Sequence, residues 1–179
     1  MPVKSAQPVG PFPPGADPDE YDRLRRRVLW TMPSGLYVVG SRSADRLKLN
    51  FMTLNWATQL SFDPKLVGIS VEHEALTHTL ISEGRAFSLS IVDREDRAIV
   101  RKFTKPVDAD TLGAFPRIER STGSPILAQA VAWLDCEVRQ EVAVGGHTLF
   151  IGEVVDAGFA KDEATPVLRM EDTRMSYGG

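Results

Sequence analysis

The fold is decided by residues 133–159, which read WLDCEVRQEVAVGGHTLFIGEVVDAGF. Two long runs rich in β-branched and aromatic residues, 133–144 and 148–159, flank the pair Gly145-Gly146. Paired glycines accept the positive φ angles of a tight turn, so this stretch predicts an antiparallel hairpin of two long strands. The protein is therefore expected to be built largely from antiparallel sheet.

Further extended segments with the same composition precede this hairpin, at residues 35–42, 47–62, 66–72 and 86–92. Short helices are predicted between them, one over 76–84 and one that begins near Asp93. Residues 104–125 are polar and broken by prolines, which indicates an excursion rather than a separate domain. Six or seven strands with short helices at the rims do not alternate as β-α-β units. This pattern favours a mainly β fold, an antiparallel β-barrel with short helices.

The N-terminal residues 1–16 contain five prolines and two glycines, which exclude a helix or a sheet ladder there. We expect a flexible Pro-rich arm, either free or draped over another surface. Asp17 then supplies a helix cap, with Pro18 at the first helical position and Glu20 placed to complete a capping box. The expected organisation is this arm followed by one folded domain over 17–179.

Composition narrows the class of protein. The 179 residues, 42% of them hydrophobic, suffice for one domain with its own core. The 21 Lys and Arg against 24 Asp and Glu give a formal net charge of -3, which argues against binding to nucleic acid. The single cysteine excludes an internal disulfide and favours a cytoplasmic location. No apolar run approaches the roughly 18 residues that cross a bilayer, so no membrane association is expected.

The sequence lacks the motifs of several common binding and catalytic sites. The sequence contains neither of the glycine-rich fingerprints that bind nucleotides through a helix start. The histidines His73, His78 and His147 are scattered, so no metal site is expected. Cys136 lies within a predicted strand among apolar neighbours, which predicts a buried and inert thiol.

Five short pieces of sequence carry a resemblance to a known family: NFMTLN at 50–55, SFDP at 61–64, LVGISV at 66–71, TH at 77–78 and GHTLFIGEV at 146–154. In their order and spacing they resemble the flavin reductase-like family. The resemblance runs from the first helix to about Val155 and more weakly into the tail at 175–179. It implies an FMN-binding split barrel of antiparallel Greek-key type that works as a homodimer.

The resemblance also implies a function. It points to an NAD(P)H-dependent flavin oxidoreductase that passes a hydride from NADH or NADPH to FMN, or to FAD, and can supply reduced flavin to a partner monooxygenase. The lack of a dinucleotide fingerprint fits a nicotinamide that visits transiently. Two alternatives stay open: an FMN-holding electron carrier without nicotinamide activity, and a non-catalytic split barrel that binds a small ligand such as haem.

The same resemblance places the isoalloxazine ring against five residues, Asn50, Phe51, Met52, Thr53 and Asn55. From the residues alone, a strand with Thr53 and Asn55 facing solvent would be the more ordinary interpretation. Gln59 and Ser61 are two apart, which predicts a shared strand face. The resemblance sets them near the ring or the ribityl chain, and a polar outer face is the alternative.

The phosphate of the flavin needs donors, and a helix start provides them. A helix beginning near Ala75 offers free N–H groups and a favourable dipole, and Thr77 adds a hydroxyl. His73 is a further candidate donor, whereas Glu72 and Glu74 would repel the anion.

Two further groups complete the candidate site. Arg101 and Lys102 end the second short helix and are candidate phosphate ligands, with a solvated helix end as the alternative. Phe103, next in the chain, is a candidate cofactor contact, with a place in the core as its alternative. His147 follows the Gly145-Gly146 turn; by resemblance it lies near the flavin, where it would seat the nicotinamide or steer a proton, and it is the catalytic candidate.

Overall fold

The computed structural model describes residue 8 and residues 10–175. Within them the chain forms two compact units: a larger one, Ser34–Thr173, and a smaller one that carries helix α1, Pro18–Leu29. Most of the predicted arm, residues 1–7 and 9, lies outside the described residues, as does the end of the tail, 176–179.

In the smaller unit the predicted helix start is confirmed. The Asp17 carboxylate accepts the Glu20 backbone N–H at 2.9 Å, and Pro18 is the first helical residue. The described part of the arm contacts this helix, because the Phe12 ring lies edge-on to Tyr21 with 6.3 Å between centroids. No residue of α1 is buried, so the apolar positions of this helix are exposed.

The larger unit follows the predicted order of strands and short helices. Its strands are β1 Tyr37–Arg42, β2 Leu49–Leu54, β3 Ala57–Phe62, β4 Lys65–Glu72, β5 Ala86–Ile91, β6 Arg117–Glu119, β7 Pro125–Leu127, β8 Ala132–Val144 and β9 His147–Phe159. Its helices are α2 Leu76–Gly84, α3 Arg97–Lys102 and α4 Ala109–Ala114, with a 3-10 turn at Met170–Asp172.

Seven strands form one antiparallel sheet in the order β2-β1-β5-β8-β9-β4-β3. The β8–β9 hairpin predicted from the glycine pair is confirmed, with Val144 opposite His147 beside the turn and Ala132 opposite Phe159 at the far end. Its inner face supplies much of the core, where Phe150 is fully buried. The mainly β, antiparallel fold is therefore as expected.

The sheet curls, but it does not close. Strands β2 and β3 are its two opposite edges, yet only Asn55 and Trp56 separate them in the chain. Three Cα–Cα steps of about 3.8 Å bring Leu54 and Ala57 within about 11 Å of each other. No ladder joins the two edges in the part of the chain that the structure describes. The barrel is thus split, and we call the gap between β2 and β3 the seam.

The interpretation of residues 104–125 as an irregular excursion was incomplete. Helix α4 forms there because the Asp108 carboxylate accepts the Thr111 backbone N–H at 2.7 Å. Strand β6 then pairs with β7 in a separate two-stranded ladder. Helix α4 and strand β6 are too short to show a hydrophobic period in the sequence. The nearby prolines obscured the helix cap at Asp108.

Candidate flavin site

The connection across the seam carries a largely buried polar residue. Asn55 connects β2 to β3 and is only 8% exposed. None of the described residues hydrogen-bonds its side-chain amide. The chain is held there by its backbone, since the Ser70 N–H donates to the Trp56 carbonyl at 3.0 Å. The amide atoms of Asn55 are not fully enclosed, so a ligand at the seam can reach them and hydrogen-bond to them.

His147 reaches the same place from β9. Its ring lies 5.0 Å from that of Trp56, centroid to centroid, at an interplanar angle of 52°. Its Nε2 atom is buried and has no hydrogen-bond partner among the described residues. The backbone fixes this position, because His147 pairs with Glu72 of β4 and with Val144 of β8. The predicted catalytic candidate therefore stands beside the seam.

Helix α2 begins beside β2. The Asn50 side-chain amide donates to the Thr77 hydroxyl at 2.9 Å, and both residues are buried. No side chain caps the helix at Ala75, and the His78 N–H donates to the Ala75 carbonyl at 3.0 Å, so the N–H groups of the two residues before His78 are the ones available to an anion. The structure thus brings the predicted ring-binding strand and the predicted phosphate-binding helix start together.

The end of α3 joins the same strand. The Thr53 N–H donates to the Phe103 carbonyl at 2.8 Å, and the Thr53 hydroxyl donates to the Val100 carbonyl. Met52, next to Thr53 in β2, is half-buried against the main core. These bonds hold the end of α3, residues 101–103, next to β2. The predicted flavin site needs both segments in one place.

Two predicted contacts have their side chains in the core. The rings of Phe51 and Phe103 are fully buried and lie 5.2 Å apart, and Phe115 lies 5.0 Å from Phe103. Contact of Phe51 or Phe103 with a ligand would therefore be made by the main chain. The Lys102 ammonium lies 4.9 Å from the Phe115 ring centroid, so it is engaged in a cation–π contact, while Arg101 is exposed.

His73 belongs to a small group of aromatic rings. Its backbone N–H donates to the Gly146 carbonyl at 3.1 Å, which ties the β4–α2 turn to the β8–β9 turn. Its ring stands edge-on to that of His78, with 5.3 Å between centroids. The His78 Nε2 is 2.8 Å from the Thr148 hydroxyl. Burial, and secondarily His73, lowers the pKa of His78, which is therefore neutral at pH 7.

The predicted shared face of Gln59 and Ser61 is disturbed by a β-bulge. The register with β4 shifts between these two residues, because Gln59 faces Val67 while Ser61 faces Leu66. A bulge interrupts the alternation of side chains on which that expectation rests. Gln59 is exposed and donates from its amide to the Ser61 carbonyl at 3.2 Å.

Trp56 is a residue of the site that the sequence-based reasoning did not single out. Its position after Asn55 and its indole contact with His147 place it at the seam. The signal was present in the sequence, since a large aromatic residue directly follows the NFMTLN motif. A tryptophan in a strand-rich segment is common in cores, however, so composition alone did not mark it.

The described residues offer no support for a metal site or for a reactive cysteine. No group of three or more His, Cys, Asp or Glu side chains in that part of the chain is arranged to hold a metal ion. Cys136 is fully buried, and burial raises the pKa of its thiol to about 12, as expected for an inert cysteine.

Among the described helices, none has both the length and the apolar character of a membrane span.

Comparison with known proteins gives consistent matches. Residues 29–178 match the family described as flavin reductase like domain. The NADH-dependent FAD reductase of Streptomyces globisporus is 30% identical over 150 residues, which cover 81% of each chain. The solved NADH:FAD oxidoreductase of Streptomyces globisporus C-1027, in complex with NAD and FAD fragments, superposes with a TM-score of 0.74 at 28% identity, over 86% of this chain and 90% of that chain.

A second solved structure belongs to a two-component system. The styrene monooxygenase flavin reductase from Pseudomonas putida S12 superposes with a TM-score of 0.67 at 29% identity, over 77% of this chain and 88% of that chain. The family match covers most of the sequence and includes every residue gathered around the seam. This chain therefore belongs to the flavin reductase-like domain family.

Proposed function

We propose that this protein is an NAD(P)H-dependent flavin oxidoreductase whose flavin lies at the seam. The observation that carries the proposal is a pair of polar groups there, the fully buried His147 Nε2 and the amide of the largely buried Asn55, neither of which hydrogen-bonds to the described residues. A flavin ring presents both donors and acceptors along its edge, so it complements such groups. The named activities of the relatives support the same function.

Different residues would contact the ring and the phosphate of the flavin. Met52, Thr53 and Asn55 would lie along the ring, with the main chain of β2 supplying its polar edge. Thr77 and the uncapped first turn of α2 would hold the phosphate, since free N–H groups and the helix dipole attract an anion. His73 and Arg101 are both exposed and would add donors at that end.

A bound flavin supplies a hydride acceptor at its N5 atom. The protein's part is to position the donor ring and to keep water out, because hydride transfer depends on stacking and distance more than on a strong acid or base. The Trp56–His147 pair would form the wall against which a nicotinamide is seated. Because the protein only positions the reactants, it needs no acid–base dyad, and none stands out in the sequence.

The finer identity of the ligands stays as the sequence resemblance implies it. FMN is the predicted flavin and FAD the alternative. Either NADH or NADPH is the predicted donor. Because one relative is the reductase of styrene monooxygenase, we propose that reduced flavin is passed to a partner monooxygenase. The cytoplasmic location expected from the single cysteine stays a prediction.

We further propose that two copies of the chain form a homodimer. The edge of the sheet at β3 exposes large apolar side chains: Leu60 is 44% exposed and Phe62 is 84% exposed. Exposed apolar groups on an unpaired edge strand favour coverage by another chain. Light scattering on the wild type and on Phe62→Ser tests this proposal, with a dimer expected for the first and a monomer for the second.

The function is tested by incubating the purified protein with FMN or FAD and with NADH or NADPH, and following nicotinamide oxidation. The expected result is oxidation well above the rate without protein, and at least tenfold slower oxidation for Asn55→Ala. A protein that binds flavin tightly but leaves both nicotinamides unoxidised would instead be the electron carrier considered above. A protein that binds no flavin would contradict the proposal.

A further inference from the structure

A cleft of about 310 Å³ opens beside the C-terminal end of α2, away from the seam. Four arginines line it, Arg42, Arg46, Arg85 and Arg139, against one acidic side chain, Glu137. The whole chain has more acidic than basic residues. A local excess of positive charge on an acidic protein therefore marks this cleft.

Arg42 is the fixed part of the cleft. It is 8% exposed, its Nε donates to the Thr122 carbonyl at 2.6 Å, and its Nη1 donates to the Ser43 carbonyl at 3.2 Å. The Asp135 carboxyl accepts the Thr122 N–H at 2.8 Å. Burial, followed by the neighbouring Arg46, lowers the pKa of Arg42, and the charge of Asp135 opposes that shift. A buried guanidinium held in this way is preorganised for an anion.

Arg46 is the arginine of the cleft whose charge has no acidic partner among the described residues. Its backbone has a φ of 63°, and its guanidinium lies over Gly123, where an added Cβ would come within 3.2 Å of the Arg46 Cζ. In the described residues it has neither a hydrogen bond nor an ion pair through its side chain. Two guanidinium groups that face one cleft repel each other, and a bound anion would remove that repulsion.

The other two arginines are already paired. Arg85 forms an ion pair with Glu141, and Arg139 pairs with Glu153 at 2.7 Å and with Glu137 at 2.9 Å. They hold the wall of the cleft, and their charges are largely compensated. The positive charge available to a ligand is thus concentrated on Arg46, with Arg42 beside it partly offset by Asp135.

We infer that this cleft binds a phosphate-type anion, either inorganic or carried by a nucleotide. Guanidinium groups bind phosphate oxygens through two parallel hydrogen bonds, and the two arginines line the same cleft. The site is distinct from the proposed flavin phosphate site, because Thr77 and Gly84 are separated by seven residues of helix, about 10 Å. It does not depend on the reductase function.

The test is calorimetric titration of the full chain with pyrophosphate and, separately, with ADP at low ionic strength. Saturable binding is expected for the wild type and at least tenfold weaker binding for Arg46→Gln. Arg117→Gln makes the same charge change at another exposed site and should bind within twofold of the wild type. Circular dichroism verifies that each variant is folded.

The two ligands distinguish the source of the anion. Equal affinity for pyrophosphate and ADP supports a site for the phosphate group alone, and tighter binding of ADP supports a nucleotide. The inference is wrong if neither ligand saturates the wild type, or if Arg46→Gln and Arg117→Gln bind pyrophosphate equally. Reductase activity at saturating flavin and nicotinamide, expected to be unchanged in Arg46→Gln, is measured independently.

Discussion

The imidazole of His147 faces the indole of Trp56 across 5.0 Å, although the two residues are 91 positions apart in the chain. The β4–β9 pairing makes this contact possible, because it carries the start of β9 to the connection between the two edge strands. The described residues provide no partner for the buried Nε2, which lies beside the Trp56 side chain. We propose that this pair seats a flat ring and offers it one hydrogen bond.

His147→Asn should lower the rate of nicotinamide oxidation about tenfold, equivalent to about 1.4 kcal/mol of barrier. The affinity for flavin should stay within about twofold, because the proposed role concerns the donor ring. His73→Asn is the contrasting variant: flavin should bind more weakly, with little change in kcat. Steady-state kinetics and flavin fluorescence titration measure both, and identical effects from the two variants would contradict the division of roles.

The carboxylate of Glu74 lies one residue before the uncapped start of α2 and should weaken the binding of a phosphate there. Glu74→Gln is therefore expected to lower the Kd for FMN roughly twofold to fivefold, as a charge at a helix end is worth about 0.3–1 kcal/mol. Glu83→Gln, near the other end of the same helix, is the matched control. Riboflavin, which lacks the phosphate, should show no change, and an equal gain for riboflavin would overturn the assignment.

The Asn50–Thr77 hydrogen bond links β2 to α2 inside the protein. Thr77→Val keeps the shape but leaves the Asn50 amide unsatisfied, so the free energy of unfolding should fall by about 1–3 kcal/mol. Thr77→Ser restores the hydroxyl and should recover most of the loss. Urea denaturation measures the three proteins, and equal stability of the valine and serine variants would show that the bond contributes nothing.

Much of this architecture was predictable from local sequence. The glycine pair at 145–146, the Asp17 cap and the alternating apolar runs each act through neighbouring residues, and the elements they predict are observed. The elements that were missed, α4 and the β6–β7 ladder, are six residues or fewer. At such lengths packing decides the structure, and the sequence carries no period.

The candidate site was predictable as a set of segments but not as a set of contacts. The resemblance pointed to β2, the start of α2 and the end of α3, and Thr53 does join β2 to Phe103. It did not show that the Phe51 ring faces the core, or that a bulge separates Gln59 from Ser61. Side-chain direction depends on register, and register is set by partner strands that are distant in the sequence.

Gly40 in β1 lies against the backbone of β7. A Cβ there would overlap the Pro125 carbonyl and crowd the Ser88 hydroxyl, so Gly40→Ala should cost about 3 kcal/mol or more. Gly113 in α4 has nothing within 4 Å of the same added atom. Gly113→Ala should therefore be neutral or stabilising by up to about 1 kcal/mol. Thermal unfolding of the two variants tests whether the loss of stability comes from steric overlap of the added Cβ or from the loss of glycine itself.

The buried thiol of Cys136 should be unreactive in the folded protein. Its pKa of about 12 lies above the ordinary value of 9.0, so the thiolate is scarce at pH 8. A disulfide reagent should label it only after unfolding. Because the unfolded thiol ionises first, this group's contribution to stability is complete below pH 9 and lost as the pH rises towards 12. Rapid labelling under native conditions would show that β8 opens.

The most direct measurement is a crystal structure of the protein grown with FMN or FAD. The account predicts the ring at the seam, against Met52, Thr53 and Asn55, and the phosphate at the first turn of α2, beside Thr77. A flavin ring found elsewhere, with Asn55 and Thr77 pointing away from every ligand atom, would contradict it.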